Sequence, residues 1–144
     1  MRYWPLSLLL FIAILVGCAR PSDDVTPGTE ARTIDYYISK LPDRQFVKTY
    51  GDGENPKPWY TAAEELGQIG KPAIPALIER LETPDPYELK LALYALMLAS
   101  QDPELLAETG DNYLELGSVL TEDTNEENKR RALEWWDLYQ HLFP

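Results

Sequence analysis

The stretch that decides the fold is residues 61–100, TAAEELGQIGKPAIPALIERLETPDPYELKLALYALMLAS. Its apolar residues recur every three or four positions, which is typical of helices that bury one face. Thr61 and Glu64 are spaced as a capping box, and Asp85 with Pro86 supplies an N-cap residue followed by a proline at the first helical position. The segment after Pro86 is apolar almost all round, which predicts a central, buried helix.

An internal repeat runs through the same stretch. Shifting the chain by 30 residues places Ala62 on Ala92 and Leu66 on Leu96. A period near this length, built of helix pairs, is typical of an α-solenoid. The sequence therefore predicts an all-α fold, a short α-solenoid, and a generic helical bundle is the alternative.

The residues of this repeat resemble a known family. The alanine-rich first helix, the second helix opened by Pro72 and the Asp85-Pro86 pair resemble the bacterial HEAT-like repeat, the short type found in phycobilisome lyases and many scaffolds. The resemblance implies that Gly67 stands where two helices approach closely. It also places Asp85 and Lys90 where the family usually has an Asp and an Arg that form a ladder between repeats. Lys90 departs from the family pattern, because lysine lacks the planar fork of arginine.

Residues 30–144 are predicted to form one helical domain. The range 51–58 is a loop by composition, and no stretch alternates as a strand does. Asp102 with Pro103 predicts another helix start by the same N-cap pattern as Asp85-Pro86, and a second capping box, at Thr124 and Glu127, predicts the last helix. That helix carries apolar and aromatic residues at helical spacing, with Trp135 displaced by one: Ala132, Leu133, Trp136, Tyr139 and Leu142. Such a large aromatic helix suits the distinct cap that the end of a solenoid needs.

The amino terminus has the pattern of a secretory signal peptide. Arg2 gives a positive start, and an apolar run extends from Leu6 to Val16. A membrane-spanning helix needs about 20 apolar residues, which this run does not reach. We therefore expect residues 1–17 to be removed and exclude them from the fold.

The end of this leader, Leu15-Val16-Gly17-Cys18, resembles the bacterial lipobox. In that family the cysteine receives a diacylglyceryl group, signal peptidase II cuts before it, and the new amino terminus is usually acylated with a fatty acid such as palmitate. The resemblance implies lipidation of Cys18, and two or three acyl chains give a stable membrane anchor. A plain secreted protein with a free thiol is the alternative.

The segment after the leader, residues 18–29, is predicted to be a lipidated cysteine followed by a flexible linker, because it is rich in proline and polar residues. Enteric lipoproteins with Asp after the cysteine tend to stay in the inner membrane, whereas this chain has Ala19. By that resemblance we expect an outer-membrane location, with the domain facing the periplasm.

Composition narrows the class of partner. The chain of 144 residues has 24 acidic and 13 basic side chains, with a formal net charge of −11. Nucleic acid is not expected to bind, because its phosphates would be repelled. The single cysteine excludes an internal disulfide. Lys129-Arg130-Arg131 is a short basic run, but acidic residues at helical spacing are expected to neutralise it.

Catalytic chemistry is not indicated. A nucleophile needs a base within hydrogen-bond reach, and the one histidine, His141, lies three residues from the carboxyl end. The sequence contains no phosphate-binding glycine loop and no zinc-protease motif. We therefore expect no catalytic residues, no bound metal and no cofactor.

Four aromatic side chains are the candidate binding residues: Trp59, Tyr60, Trp135 and Trp136. Aromatic residues are enriched at protein interfaces and can stack on sugars. Trp135 and Trp136 are adjacent, so one of them can be buried while the other faces outward. Core or capping contacts are the alternative role for all four.

These observations together favour a membrane-anchored envelope lipoprotein that is not an enzyme and binds a protein partner, as an adaptor, a scaffold or an immunity-like inhibitor. The acidic charge suits a partner with a basic surface. Two alternatives stay open. One is a cell-wall or glycan-binding protein, with or without hydrolytic activity, that uses the exposed aromatic residues. The other is a structural spacer that needs only its length and anchor.

Overall fold

The structure is a computed structural model, which describes residues 27–144. The signal peptide, the lipobox with Cys18 and most of the predicted linker lie outside these residues. Within them the fold is mainly helical, with one small antiparallel sheet. The helices are α1 (Pro27–Lys40), α2 (Thr61–Ile69), α3 (Ile74–Arg80), α4 (Pro86–Ala99), α5 (Pro103–Thr109) and α6 (Asn125–Tyr139). The strands are β1 (Lys48–Tyr50) and β2 (Lys57–Trp59).

Helices α4 and α5 begin as their Asp-Pro pairs predict. The Asp85 carboxylate accepts a hydrogen bond from the backbone N–H of Tyr87, and the Asp102 carboxylate accepts one from that of Glu104. A proline follows each aspartate, where its missing N–H leaves no bond unmade. These predictions are confirmed because an N-cap needs only residues next to it in the chain. The helix α1 begins at Pro27, so the last three residues of the predicted linker belong to it.

Both predicted capping boxes are wrong. Thr61 lies inside α2, and its hydroxyl is buried without a hydrogen-bond partner. The Glu64 carboxylate accepts a bond from the Tyr94 hydroxyl at 2.6 Å instead of reaching back to the helix start. At α6, the Thr124 hydroxyl donates to the carbonyl of Ser118. Glu64 is bound by a residue of α4, and the Thr124 hydroxyl by a carbonyl six residues earlier in the chain, so neither side chain makes the bond that the box requires.

Helix α4 is the centre of the molecule, as its uniform apolar character predicts. It packs against α2, α3 and α6, and α1 in turn packs on α2 and α3. Six apolar residues of α4 have at most 3% of their surface exposed: Leu91, Ala92, Leu93, Ala95, Leu96 and Ala99. A helix without polar faces can lie only where neighbours cover it on every side.

Helices α2 and α4 approach each other closely at Gly67. A Cβ at this position would lie 2.6 Å from the Cβ of Leu98, nearer than two such atoms can approach. The predicted close approach at Gly67 is therefore confirmed. Two hydrogen bonds flank it: Tyr94 to Glu64, and the Lys71 N–H to the Asp102 carboxylate at 2.8 Å. The two bonds join residues that are 30 and 31 positions apart. Residues separated by about one sequence repeat therefore contact each other in the fold.

The prediction of an all-α fold with no strands is wrong in one segment. Strands β1 and β2 form an antiparallel hairpin that pairs Lys48 with Trp59 and Tyr50 with Lys57. The chain reverses between them through a turn in which two glycines have positive φ, a conformation that glycine adopts without strain. Each strand has only three residues and is exposed throughout, so the sequence carries no apolar alternation to detect.

The carboxyl-terminal helix α6 packs on α4 through a different tryptophan from the one that its pattern favoured. Trp135 is buried with 7% of its surface exposed, whereas Trp136 is half-buried against Phe143. Trp135 follows the fully buried Ala132 by three positions, which places both side chains on the face toward the core. The tryptophan that appeared displaced by one is therefore the core residue.

We expect Gly67→Ala to lower the free energy of unfolding by about 1–2 kcal/mol, because the added methyl group overpacks the α2–α4 contact. This loss outweighs the better helix propensity of alanine. Urea unfolding followed by circular dichroism measures it. The exposed neighbour Gln68 gives the control, since Gln68→Ala should change stability by less than about 0.5 kcal/mol. A Gly67→Ala variant more stable than the native chain would contradict the close approach.

Candidate functional site

The structure separates the four candidate aromatic residues. Trp59 lies on the exposed hairpin, and Tyr60 is half-buried with its ring 6.4 Å from that of Tyr87. Trp136 is half-buried, and Trp135 contacts Tyr139 inside the core. Trp135 is therefore withdrawn as a partner-binding residue, because its ring is covered while α6 stays packed.

The exposed aromatic surface centres on Trp59 and a neighbour that the sequence did not single out. The rings of Tyr50 and Trp59 are 5.9 Å apart and meet edge to face at 88°. Tyr50 keeps 51% of its surface exposed and Trp59 keeps 36%. Only the strand register reveals that the two rings share a face.

That register defines the hairpin face, which consists of Lys48, Tyr50, Lys57 and Trp59. Side chains of directly paired residues lie on the same side of a sheet, and so do residues two apart in one strand. Each lysine is paired directly across the ladder with an aromatic residue. The hairpin face therefore contains two lysine–aromatic pairs, about 7 Å apart along the strands.

A groove of about 430 Å³ lies beside the hairpin face. Its aromatic wall is built by Tyr36 and Phe46, whose rings meet edge to face at 6.1 Å. Lys48 belongs to both the groove and the hairpin face. The groove is lined by Tyr36, Tyr37, Gln45, Phe46, Val47, Lys48, Thr61 and Glu65.

The contact between α2 and α4 includes a hydrogen bond from a partly buried phenol. Burial, followed by the hydrogen bond to Glu64, raises the pKa of the Tyr94 hydroxyl above its usual range. The Tyr94 phenol therefore stays protonated and donates to the Glu64 carboxylate at neutral pH. This bond holds α2 and α4 together.

A second surface is strongly acidic. Residues 91–128 contain nine Asp and Glu residues and no Lys, Arg or His. The acidic surface is formed by the carboxylates of this range, which lie at the start of α5 and along it, in the irregular segment that follows and in the first turn of α6. Tyr113 is exposed within it. Such a charge distribution creates a negative potential that attracts a positively charged partner.

The basic run of α6 is neutralised, as predicted. Arg130 pairs with Glu127 and Glu134, and Arg131 also pairs with Glu127. Lys129 pairs with Glu82 in a distant part of the chain. The hydrogen bonds from the two arginines lower the pKa of Glu127 to about 2.

The two positions at which the HEAT-like resemblance implies a ladder, Asp85 and Lys90, have separate partners. Asp85 binds Arg44 at 3.1 Å, whereas Lys90 pairs with Glu122 at 3.7 Å. The arginine that meets Asp85 thus comes from the segment before β1. His141 is exposed in the short 3-10 turn that follows α6.

A second groove, of about 440 Å³, lies between the start of α1 and the end of the chain. Ile34, Pro72 and Phe143 contribute apolar surface to it, and Lys71 and Glu104 lie at the same groove.

Within residues 27–144, three or more potential metal ligands do not come together. Across the same residues, each helix is too short or too polar to span a bilayer.

No protein-family model, curated protein or solved structure matches the chain. The site is therefore defined by its own geometry: the hairpin face on one element and the acidic surface on others.

We expect the free energy of unfolding to depend less on pH between 4.5 and 2 in Glu127→Gln than in the native chain. The pKa of Glu127 is lowered from 4.5 to about 2 in the folded state, so its stabilising effect is complete above pH 4.5 and is lost as the pH falls toward 2. Urea unfolding at several pH values measures the difference. Glu126→Gln is the matched control, since Glu126 makes no ion pair among the described residues. Equal pH dependence in all three chains would contradict the assignment.

Proposed function

We propose that the chain is a lipid-anchored bacterial envelope protein whose helical domain binds a protein partner and catalyses no reaction. The lipobox-like Leu15-Val16-Gly17-Cys18 supports the anchor, with acyl chains on Cys18. Ala19 favours the outer membrane, with the domain facing the periplasm. The partner in this proposal is a protein with a basic surface.

The observation that carries this proposal is the acidic surface of residues 91–128. Residues 91–128 supply nine carboxylates, and among the described residues only Glu108, Glu122 and Glu127 of these pair with cations from other segments, so the remaining negative charge attracts a basic partner and repels acidic ones. Exposed Tyr113 within it offers an aromatic side chain of the kind that contributes most to protein interfaces. The same surface disfavours nucleic acid as a ligand.

The short α-solenoid of HEAT-like helix pairs is part of the proposal. The contact of Gly67 with Leu98 and the hydrogen bonds between positions 30 and 31 residues apart support a stacked arrangement of the repeat. Stacked helices present an extended surface that suits a protein partner. Arg44, which meets Asp85, takes the place of the family's ladder arginine in this arrangement.

A non-catalytic role agrees with the displaced pKa values. Tyr94 is shifted by burial and its bond to Glu64, and Glu127 by two arginines of its own helix. The pKa of Lys71 is raised by its bond to Glu108. Each of these shifts has a structural partner at a different place, whereas catalytic groups with shifted pKa values gather in one cleft.

Glycan binding is a second candidate function, favoured by the exposed Tyr50–Trp59 pair. Trp59 keeps the role that the sequence gave it, and Trp135 has no part in it.

We expect the native chain, tagged at its carboxyl end, to incorporate palmitate and fractionate with membranes, and Cys18→Ala to do neither. Lipidation is the only anchor in the proposal, so its loss should release the domain. Metabolic labelling and membrane fractionation of bacteria that produce the chain measure both effects. A Cys18→Ala chain that stays in the membrane fraction would contradict the proposed lipid anchor.

Partner binding is tested by purifying the tagged chain from a mild detergent extract and identifying what is bound stoichiometrically. A Glu115→Gln/Asp123→Asn variant should retain at most about a tenth of a basic partner, because it weakens the acidic surface. Asp35→Asn/Glu79→Gln is the matched control, since it removes two exposed carboxylates elsewhere. A bound partner that is acidic, or equally retained by both variants, would argue against the acidic surface as the binding site.

A further inference from the structure

We infer that the hairpin face is a binding site for an anionic polysaccharide. The inference deepens the second candidate function, glycan binding, and does not need the protein partner. Four side chains carry it: Lys48, Tyr50, Lys57 and Trp59.

The two lysines of the hairpin face are unusual in this chain. Among the described lysines they alone have no carboxylate partner, although acidic side chains outnumber basic ones almost two to one. Lys40, Lys71, Lys90 and Lys129 each form a salt bridge. The hairpin face therefore presents two free ammonium groups to the solvent, and its ligand should supply the anions.

The two aromatic rings restrict the class of ligand further than charge alone does. Tyr50 and Trp59 expose an edge-to-face pair, so a ligand meets the flat face of at least one ring. The Tyr and Trp side chains each combine an apolar ring with a polar O–H or N–H group. They therefore suit a ligand that also has both apolar and polar parts. A sugar ring has one face of C–H groups that can lie on an aromatic ring. Carboxylate or phosphate groups on the same polymer can then reach Lys48 and Lys57.

An acidic peptide that adds a strand to the hairpin fits less well. Pro58 stands in the middle of β2 opposite Thr49. Because proline has no N–H, β2 has one backbone donor fewer than another strand of its length, and a proline in an edge strand disfavours the pairing of a further strand along that edge. This edge is therefore protected against strand addition. The ligand lies across the hairpin face rather than along its edge.

An anionic bilayer also fits less well. Asp52 and Glu54 lie in the exposed turn at the tip of the hairpin, so a tip-first approach would bring two carboxylates to the lipid phosphates. This acidic tip directs the hairpin face to a ligand other than the membrane that holds the protein.

The groove beside the hairpin extends the site. Lys48 lines it together with Tyr36 and Phe46, so a polymer on the hairpin face can continue past Lys48 onto further aromatic surface. The carboxylate of Glu65 lies in the same groove and limits how far an anionic chain can enter. The contact with the polymer is therefore centred on the hairpin.

The test uses the full chain in detergent micelles and fluorescence anisotropy of labelled polymers. Polygalacturonate is the anionic probe and dextran the neutral one. We expect polygalacturonate to bind and dextran to bind at least about tenfold more weakly. Both affinities are measured near neutral pH. Binding of polygalacturonate should weaken sharply near 1 M salt, where the screening length is about 3 Å.

Two variants address the two parts of the site. Lys48→Gln/Lys57→Gln removes the ammonium groups, and Trp59→Ala removes a ring, so each should lower the affinity for polygalacturonate by about tenfold or more. All four side chains are exposed, and circular dichroism should show unchanged helix content. Arg32→Gln and Tyr113→Ala are the matched controls, because Arg32 is an exposed cation without a carboxylate partner and Tyr113 an exposed ring elsewhere.

Several outcomes would overturn the inference. One is the absence of polygalacturonate binding, and another is binding that the hairpin variants leave unchanged. Poly-L-glutamate that binds as tightly as polygalacturonate would show a site for acidic chains in general. Tighter binding to micelles that contain phosphatidylglycerol would assign the hairpin face to lipid. None of these results bears on the protein partner, which is tested through the acidic surface and Cys18.

Discussion

The contact between α2 and α4 at Gly67 is the constraint on which the rest of the domain depends. Because Gly67 has no side chain, Leu98 of α4 packs directly on the backbone of α2, and α2 lies close enough for Glu64 to accept the bond from Tyr94 and for Lys71 to reach Asp102. The bond from Lys71 also ties the N-cap residue of α5 to the end of α2. The apolar α4 can then be covered on the remaining sides by α3 and α6. A single small residue thus sets the spacing of the whole helical body.

How much of the fold could be predicted depends on how local each signal is. Asp85 and Asp102 cap their helices as predicted, because the groups that they bind lie two residues away. The apolar pattern likewise predicted the buried α4. The capping boxes failed because Glu64 and Thr124 have partners outside the capping-box motif, which the motif itself does not predict. The hairpin was missed because its short strands bury nothing and so leave no periodic trace.

The candidate site was predictable only in part for a related reason. Trp59 could be named from sequence as an exposed aromatic residue, whereas its link to Lys48 exists only through the pairing register of β1 and β2. Net charge also concealed the site, because an average over the whole chain is dominated by residues 91–128. Trp135 and Trp136 could not be told apart, since adjacent positions on a helix differ by about 100° and the choice depends on where α4 lies.

The backbone conformation at the tip of the hairpin determines which changes of sequence and length this turn can accept. Gly51 and Gly53 have positive φ, and added Cβ atoms there would meet nothing within 4 Å. Backbone conformation, and not packing, therefore limits what the tip can contain. Lengthening a loop costs little entropy, about 0.6 kcal/mol for each doubling. The turn can accept inserted residues or a genetically encoded tag while the paired strands keep their register, which makes it the natural place for related chains to differ in length.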